Sequence, residues 1–305
     1  MLKTQKIIHK GLGSYRLSNA QVELVVTLDV GPRVIHFGFV GGENEFAQFL
    51  DTSGGPTSGE WRMLGGHRFW HSPEANPRTY EPDNSPLRLE EHPDFARVIQ
   101  PTESTTGLQK EIDLRLWPDA AHVRLTHRLR NHNLWPIELA PWALSVMAPG
   151  GTAILPLPPH APWAPGSLLP TNQLTLWSYT DLSDPRWTLG RQFILARQDP
   201  HVAEFQKLGV RTPEGWAAYA NGGRLFVKAV AHDAHATYPD FNSPLEVFIS
   251  GDFLELETLG PLTRLEPGAT VEHVEDWFLF RDVAQPRDEA EMEKYVLPRV
   301  KSLKV

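Results

Sequence analysis

Lys110-Glu111-Ile112-Asp113-Leu114-Arg115-Leu116-Trp117, then Pro118-Asp119, then Val123-Arg124-Leu125-Thr126-His127-Arg128-Leu129-Arg130-Asn131, is the stretch on which the fold turns. Ile112, Leu114 and Leu116 alternate with polar or charged residues in the first arm, and Val123, Leu125 and Leu129 supply the apolar face of the second. Successive strand side chains point to opposite faces, so a period of two marks a strand with one face buried. Two such arms joined at Pro-Asp read as an antiparallel hairpin. Residues 22–30 repeat the pattern with Val22, Leu24, Val26, Leu28 and Val30. Gly31-Pro32 interrupts it, and residues 33–39 resume it before Gly41-Gly42-Glu43-Asn44. Further strands are expected at 137–146, 174–179, 192–198, 216–220, 224–231, 246–249, 253–259 and 271–280.

Composition agrees with strands. The 23 Gly and 27 Pro are about 16% of 305 residues, against a usual total near 12%. No interval between successive Gly or Pro exceeds 17 residues, and the longest carry charges, so no apolar helix of ~20 residues can span a membrane. Many short antiparallel strands imply an all-β chain, a large sandwich of packed sheets in a single domain over residues 1–305. One helix is expected, at 287–304, acidic early, basic late and kinked at Pro298. A net charge of −8 without a Lys/Arg run gives no footprint for nucleic acid or an anionic membrane. The absence of Cys removes disulfides and thiolate chemistry, and residues 1–6 lack the apolar core of a signal peptide, so the cytoplasm is the expected compartment. The sequence carries no signal for oligomeric state.

Two segments lack a period. Residues 150–166 hold five prolines and read as an ordered crossover, whereas 51–93 is dense in Gly, Pro, His and aromatics. Within the latter, Gly65-Gly66-His67-Arg68-Phe69-Trp70-His71-Ser72-Pro73-Glu74 and Tyr80-Glu81-Pro82-Asp83-Asn84 gather imidazoles, a guanidinium, carboxylates and aromatic rings. Hydroxyl-rich ligands need such donors, acceptors and ring faces. A polar structural loop is the plain alternative. A metal held by His67, His71 and Glu74 is another, since spacings of four and three align on a helix. In Phe253-Leu254-Glu255-Leu256-Glu257-Thr258-Leu259-Gly260-Pro261, Glu255 and Glu257 share one strand face, which Gly260-Pro261 suggests is near a sheet edge. Adjacent carboxylates, if partly buried, push one pKa up, as acid–base chemistry requires; a solvated polar face also fits. His127 and the His232/His235 pair suit a core, a cleft or an exposed turn, and Trp135 and Trp142 suit core or sugar-stacking platforms.

The order of these features resembles the galactose mutarotase-like superfamily, whose best-known members are the aldose 1-epimerases. The resemblance runs over about residues 15–280. It rests on Gly31-Pro32-Arg33-Val34-Ile35, Gly41-Gly42-Glu43-Asn44, Gly65-Gly66-His67, Leu129-Arg130-Asn131 leading to Pro136, and residues 253–260 leading to Leu265-Glu266-Pro267-Gly268. It is closer to a side branch than to the true mutarotases. The resemblance implies a supersandwich of antiparallel sheets with a sugar cleft, a late glutamate as general base and a histidine as the acid at the ring oxygen. Glu255 matches the glutamate's place, with Glu257 a close second. Gly65-Gly66-His67 is similar, in inverted order, to the family's His-Gly-Gly region. Where the family places its catalytic histidine, the 131–145 stretch offers Trp142-Ala143-Leu144 instead. The acid is therefore expected from His67 or His71, with His127 or His235 behind them.

The expectation is an aldose 1-epimerase-like isomerase acting on a small carbohydrate without metal or cofactor. Glu255 and His67 would be catalytic, with Arg68, His71, Glu74, Asp83, Trp142 and Glu257 lining the cleft. The alternatives are a non-catalytic sugar-binding or sensing module, or a lyase or hydrolase.

Overall fold

The protein is described by a computed structural model over residues 2–50 and 60–303. Residues 51–59 of the irregular segment, and Lys304 of the expected helix, lie outside the described residues. Among the described residues, two antiparallel sheets of eleven and ten strands face each other across one core. The deciding hairpin forms between Leu108–Leu116 and His122–Asn131 in the ten-stranded sheet. Val22–Thr27 pairs with Arg33–Phe39 in the other. The sheets meet in an aromatic cluster. Phe37 and Phe46 on one side pack on Phe226 and Trp277 on the other, with centroids 5.5–5.9 Å apart. Each such ring is worth about 1.5–3 kcal/mol of burial.

Five neighbouring strands of the eleven-stranded sheet carry Arg68, Trp142, Glu255, Glu246 and Lys207, one on each. In sheet order they are Gly66–Ser72, Ile137–Met147, Leu254–Leu259, Leu245–Ile249 and Gln206–Arg211. Leu254–Leu259 therefore runs through the middle of the sheet, not near the edge that Gly260-Pro261 suggested. The 51–93 segment holds the strand Gly66–Ser72, and 150–166 holds Thr152–Pro156. Both are buried on both faces. A strand covered on both sides has no solvated face to impose alternation, which is why neither shows a period. Gly65 and Gly66 have φ of +79° and +72°, and a Cβ on either would lie 2.2 Å from the Ala47 carbonyl or 2.6 Å from that of Val34. Only glycine lets the chain enter the sheet at that approach.

The C-terminal helix runs from Glu289 to Val300, shorter than 287–304. Asp288 caps it by accepting from the Glu291 N–H at 2.9 Å. Met292–Val296 forms one wide turn in which Leu297 N–H reaches back to Met292, just ahead of Pro298, which has no N–H to give. Met292 and Val296 bury against Ile154, Leu225 and Val227 on the outer face of the ten-stranded sheet. No helix among the described residues is long and apolar enough to cross a membrane.

Candidate functional site

Register decides which side chains meet. Arg68 sits opposite Leu144, and Leu144 opposite Glu257, while His67 sits opposite Ser145 and Ser145 opposite Leu256. Cross-strand partners share a face. Arg68, Trp70, Trp142, Leu144, Glu255 and Glu257 therefore point away from the ten-stranded sheet, whereas His67, Phe69 and His71 point into the space between the sheets. Lys207 joins the first group, because its neighbours Leu208 and Val210 belong to the core.

The outward face forms the floor of a cleft. One chamber of about 500 Å³ has Arg68 and Glu255 at its base and aromatic walls that include Trp61, Trp70, Tyr179 and Phe248. A second chamber of about 390 Å³ is lined by Asn76, Trp177 and Asp240. Glu74, Tyr80, Trp142 and Lys207 line both. An Arg68 nitrogen bonds Glu255 Oε1 at 2.7 Å, and the guanidinium lies 4.2 Å from the Trp70 ring and 5.6 Å from that of Trp61. The Tyr80 hydroxyl donates to Glu74.

Lys207 Nζ lies 2.9 Å from Glu246 and 3.0 Å from Glu257, with the rings of Trp142 and Trp177 at 4.9 and 4.8 Å. Trp142 Nε1 also donates to Glu257, at 2.9 Å. Burial works against the Lys207 ammonium, but the two carboxylates outweigh it and hold its pKa well above the ordinary value. Burial lifts Glu246 well above its usual range and lifts Glu257 too, with Lys207 opposing. The two carboxyl groups share one cation and repel each other, which adds to the upward shift of Glu246.

Asp240 reaches the second chamber from an unusual backbone. Asp240, Phe241 and Asn242 take φ of +49°, +56° and +66° in succession. The left-handed region costs a non-glycine residue of the order of 1–2 kcal/mol. Gln173 and Thr175 hold the turn by donating to the carbonyls of Phe241 and Asp240.

His67 does not face Glu255. Its ring lies between the sheets, fully buried, with Nδ1 2.9 Å from Ser145 Oγ and Nε2 2.8 Å from His127 Nε2. The protons can be assigned. His127 Nδ1 faces the His273 carbonyl at 3.0 Å and must donate, so its Nε2 accepts from His67, whose Nδ1 accepts from the Ser145 hydroxyl. Burial favours this neutral state, drawing His67 well below its usual pKa and His127 down to about 4. Glu275 lies beside the pair and accepts from Lys228 at 2.9 Å, from Trp277 at 2.7 Å and from Thr258. Burial disfavours its charge, but the Lys228 ammonium opposes burial, and its pKa is held well below normal. His67, His127 and Glu275 bring ligand atoms within 4.8 Å of one another, as a metal would ask. The imidazole lone pairs are already spent on the Ser145 hydroxyl and on the His67 N–H, and the Lys228 ammonium repels a cation. The cluster is a hydrogen-bonded core.

The remaining expected residues separate similarly. His71 is buried on the inward face, its pKa drawn down to about 3 by burial and then by Lys110 and Arg78. On a strand it cannot join His67 and Glu74 in the helical metal spacing. Asp83 accepts from Arg33 Nε at 2.8 Å and its carbonyl accepts from Gly31 N–H, so it anchors its segment outside the cleft lining. Arg68, Glu74, Trp142 and Glu255 line the cleft, with Glu257 buried behind Lys207 and Trp142. Lys207 escaped the sequence reading because its strand Gln206–Arg211 is short and interrupted by Gly209. The Lys207/Leu208, Gly209/Val210 alternation was its only signal.

No protein-family model and no curated protein matches the chain. Solved structures do. A TPR-domain containing protein from Parabacteroides distasonis matches with a TM-score of 0.60 at 14% identity, over 96% of this chain and 49% of that one, so the chain spans about half its length. A protein provisionally assigned as an aldose 1-epimerase from Klebsiella pneumoniae matches at 0.58 and 14%, over 96% and 86%. A galactose mutarotase-like protein from Lactobacillus casei matches at 0.56 and 10%, over 88% and 100%. With both sheets paired throughout in the antiparallel sense and matches that extend over nearly whole chains, this protein has the galactose mutarotase-like fold.

Proposed function

We propose that the chain is a carbohydrate-binding protein that takes a sugar in the cleft on the eleven-stranded sheet. The observation that carries this reading is the Arg68–Glu255 pair at the base of an aromatic-walled chamber. A planar donor and a two-oxygen acceptor side by side suit vicinal hydroxyls, and ring faces cover the apolar side of a pyranose. Structural neighbours named as galactose mutarotase-like and aldose 1-epimerase proteins support the same class.

A second reading, an aldose 1-epimerase-like isomerase, is favoured by Glu255, a carboxylate open to the chamber that can take the anomeric hydroxyl proton. Among the described residues, no imidazole lines either chamber. The proton for the ring oxygen would come from Tyr80 or Lys207, both held protonated at neutral pH. Burial and Glu74 raise the first, and Glu246 and Glu257 raise the second.

Titration calorimetry with a panel of neutral aldoses is expected to show saturable binding, weakened about tenfold by Glu255→Gln. NMR exchange spectroscopy between anomers separates the readings. Acceleration that falls about 10²–10⁴-fold in Glu255→Gln marks the isomerase, and binding without acceleration marks the binding module. No heat of binding across the panel would sink both.

A further inference from the structure

The cleft has two chambers, and the geometry points to a ligand of at least two linked sugar rings, one in each. This inference rests on the carbohydrate reading above. The chambers measure about 500 and 390 Å³, each within the roughly 300–1,000 Å³ of small-molecule sites. They are adjacent, because Glu74, Tyr80, Trp142 and Lys207 border both. The second alone, at about 390 Å³, is large enough for a ligand group of its own. A single ring against Arg68 and Glu255 would leave that space to solvent.

The second chamber is also equipped for a sugar. Trp177 offers a half-buried ring as a stacking platform, and Asn76 and Asp240 supply hydroxyl partners. Asp240 is held there by a turn with three successive positive φ angles, a conformation that the carbonyl contacts of Gln173 and Thr175 maintain. The junction carries an unspent donor. Lys207 has three N–H groups, and among the described residues it meets two acceptors, Glu246 and Glu257. Lys207 lines both chambers, so in the two-ring arrangement its third N–H is the donor for the oxygen that links the rings. The first chamber, with Glu255, would take the ring at the reducing end.

The test is calorimetry with glucose and galactose beside maltose, cellobiose and lactose. At least one disaccharide is expected to bind about tenfold or more tighter than its component monosaccharides. Trp177→Ala should bring the disaccharide-to-monosaccharide affinity ratio toward one, and Asp240→Asn, which keeps the side-chain shape, should lower it in the same sense. Monosaccharides that bind as tightly as every disaccharide would overturn the two-ring proposal and leave the carbohydrate reading standing. A ratio unchanged in both variants would overturn it as well, since the second ring would lie elsewhere. Absence of binding by any of these sugars would remove the carbohydrate reading and this inference with it.

Discussion

Replacing Lys228 with Met is expected to cost about 3–5 kcal/mol of folding stability, read as a lower guanidinium midpoint. Lys228 is fully buried, and its three donors meet Glu275 at 2.9 Å and the carbonyls of Ala143 and Leu256 at 3.2 Å each. Burial pulls its pKa below the usual lysine value, with Glu275 opposing the shift. Without Lys228, Glu275 keeps Trp277 and Thr258 as donors but loses its counter-charge inside the core. Breaking one side of a buried pair leaves an uncompensated charge, the costly case. The double variant Lys228→Met, Glu275→Gln removes that charge while an amide oxygen can still accept from Trp277, so it should recover a large part of the loss. A single variant no less stable than an ordinary surface substitution, about 0.5 kcal/mol, would show that Glu275 is not held as an anion.

The same cluster shows what sequence could reveal and what it could not. Hairpins with one polar face, such as 108–131, declared themselves by alternation, and so did the common face of Glu255 and Glu257. His67 was misassigned because type and neighbourhood are visible in a sequence whereas register is not. A shift of one residue exchanges the faces of a strand. Arg68 and His67 are adjacent in the chain, yet one enters the cleft and the other the core. The partners of His67 lie 60 and 78 residues away, at His127 and Ser145. No local pattern could have named them. Trp142, read as core or as a sugar-stacking platform, has a buried ring that bonds Glu257 and still borders both chambers.

The buried imidazoles also set a pH dependence, and its sign can be worked out. His71 and His127 have folded-state pKa values drawn down to about 3 and about 4 from 6.5, chiefly by burial. On unfolding below pH 6.5 each takes up a proton that the folded state refuses. Their contribution is therefore full above 6.5 and is lost as the pH falls toward 4 and 3. At pH 5 the loss is about 2 kcal/mol for each group. Glu45 acts in the opposite direction. Burial lifts its pKa to about 7 from 4.5 despite Arg224, so the folded state favours its protonated form and that stabilisation fades as the pH rises from 4.5 to 7. Urea unfolding of the wild-type protein therefore reports only a difference between opposing terms, and variants must separate them. Between pH 7.5 and pH 5, His71→Gln should reduce the acid-induced loss by about 2 kcal/mol, and Glu45→Gln should deepen it by a similar amount. If His71→Gln leaves the slope unchanged, the imidazole is charged or solvated in the folded state, and its place between the sheets is wrong. The two shifts must come out with opposite signs, because a buried base and a buried acid both prefer to be neutral, and neutrality means releasing a proton for one and keeping it for the other.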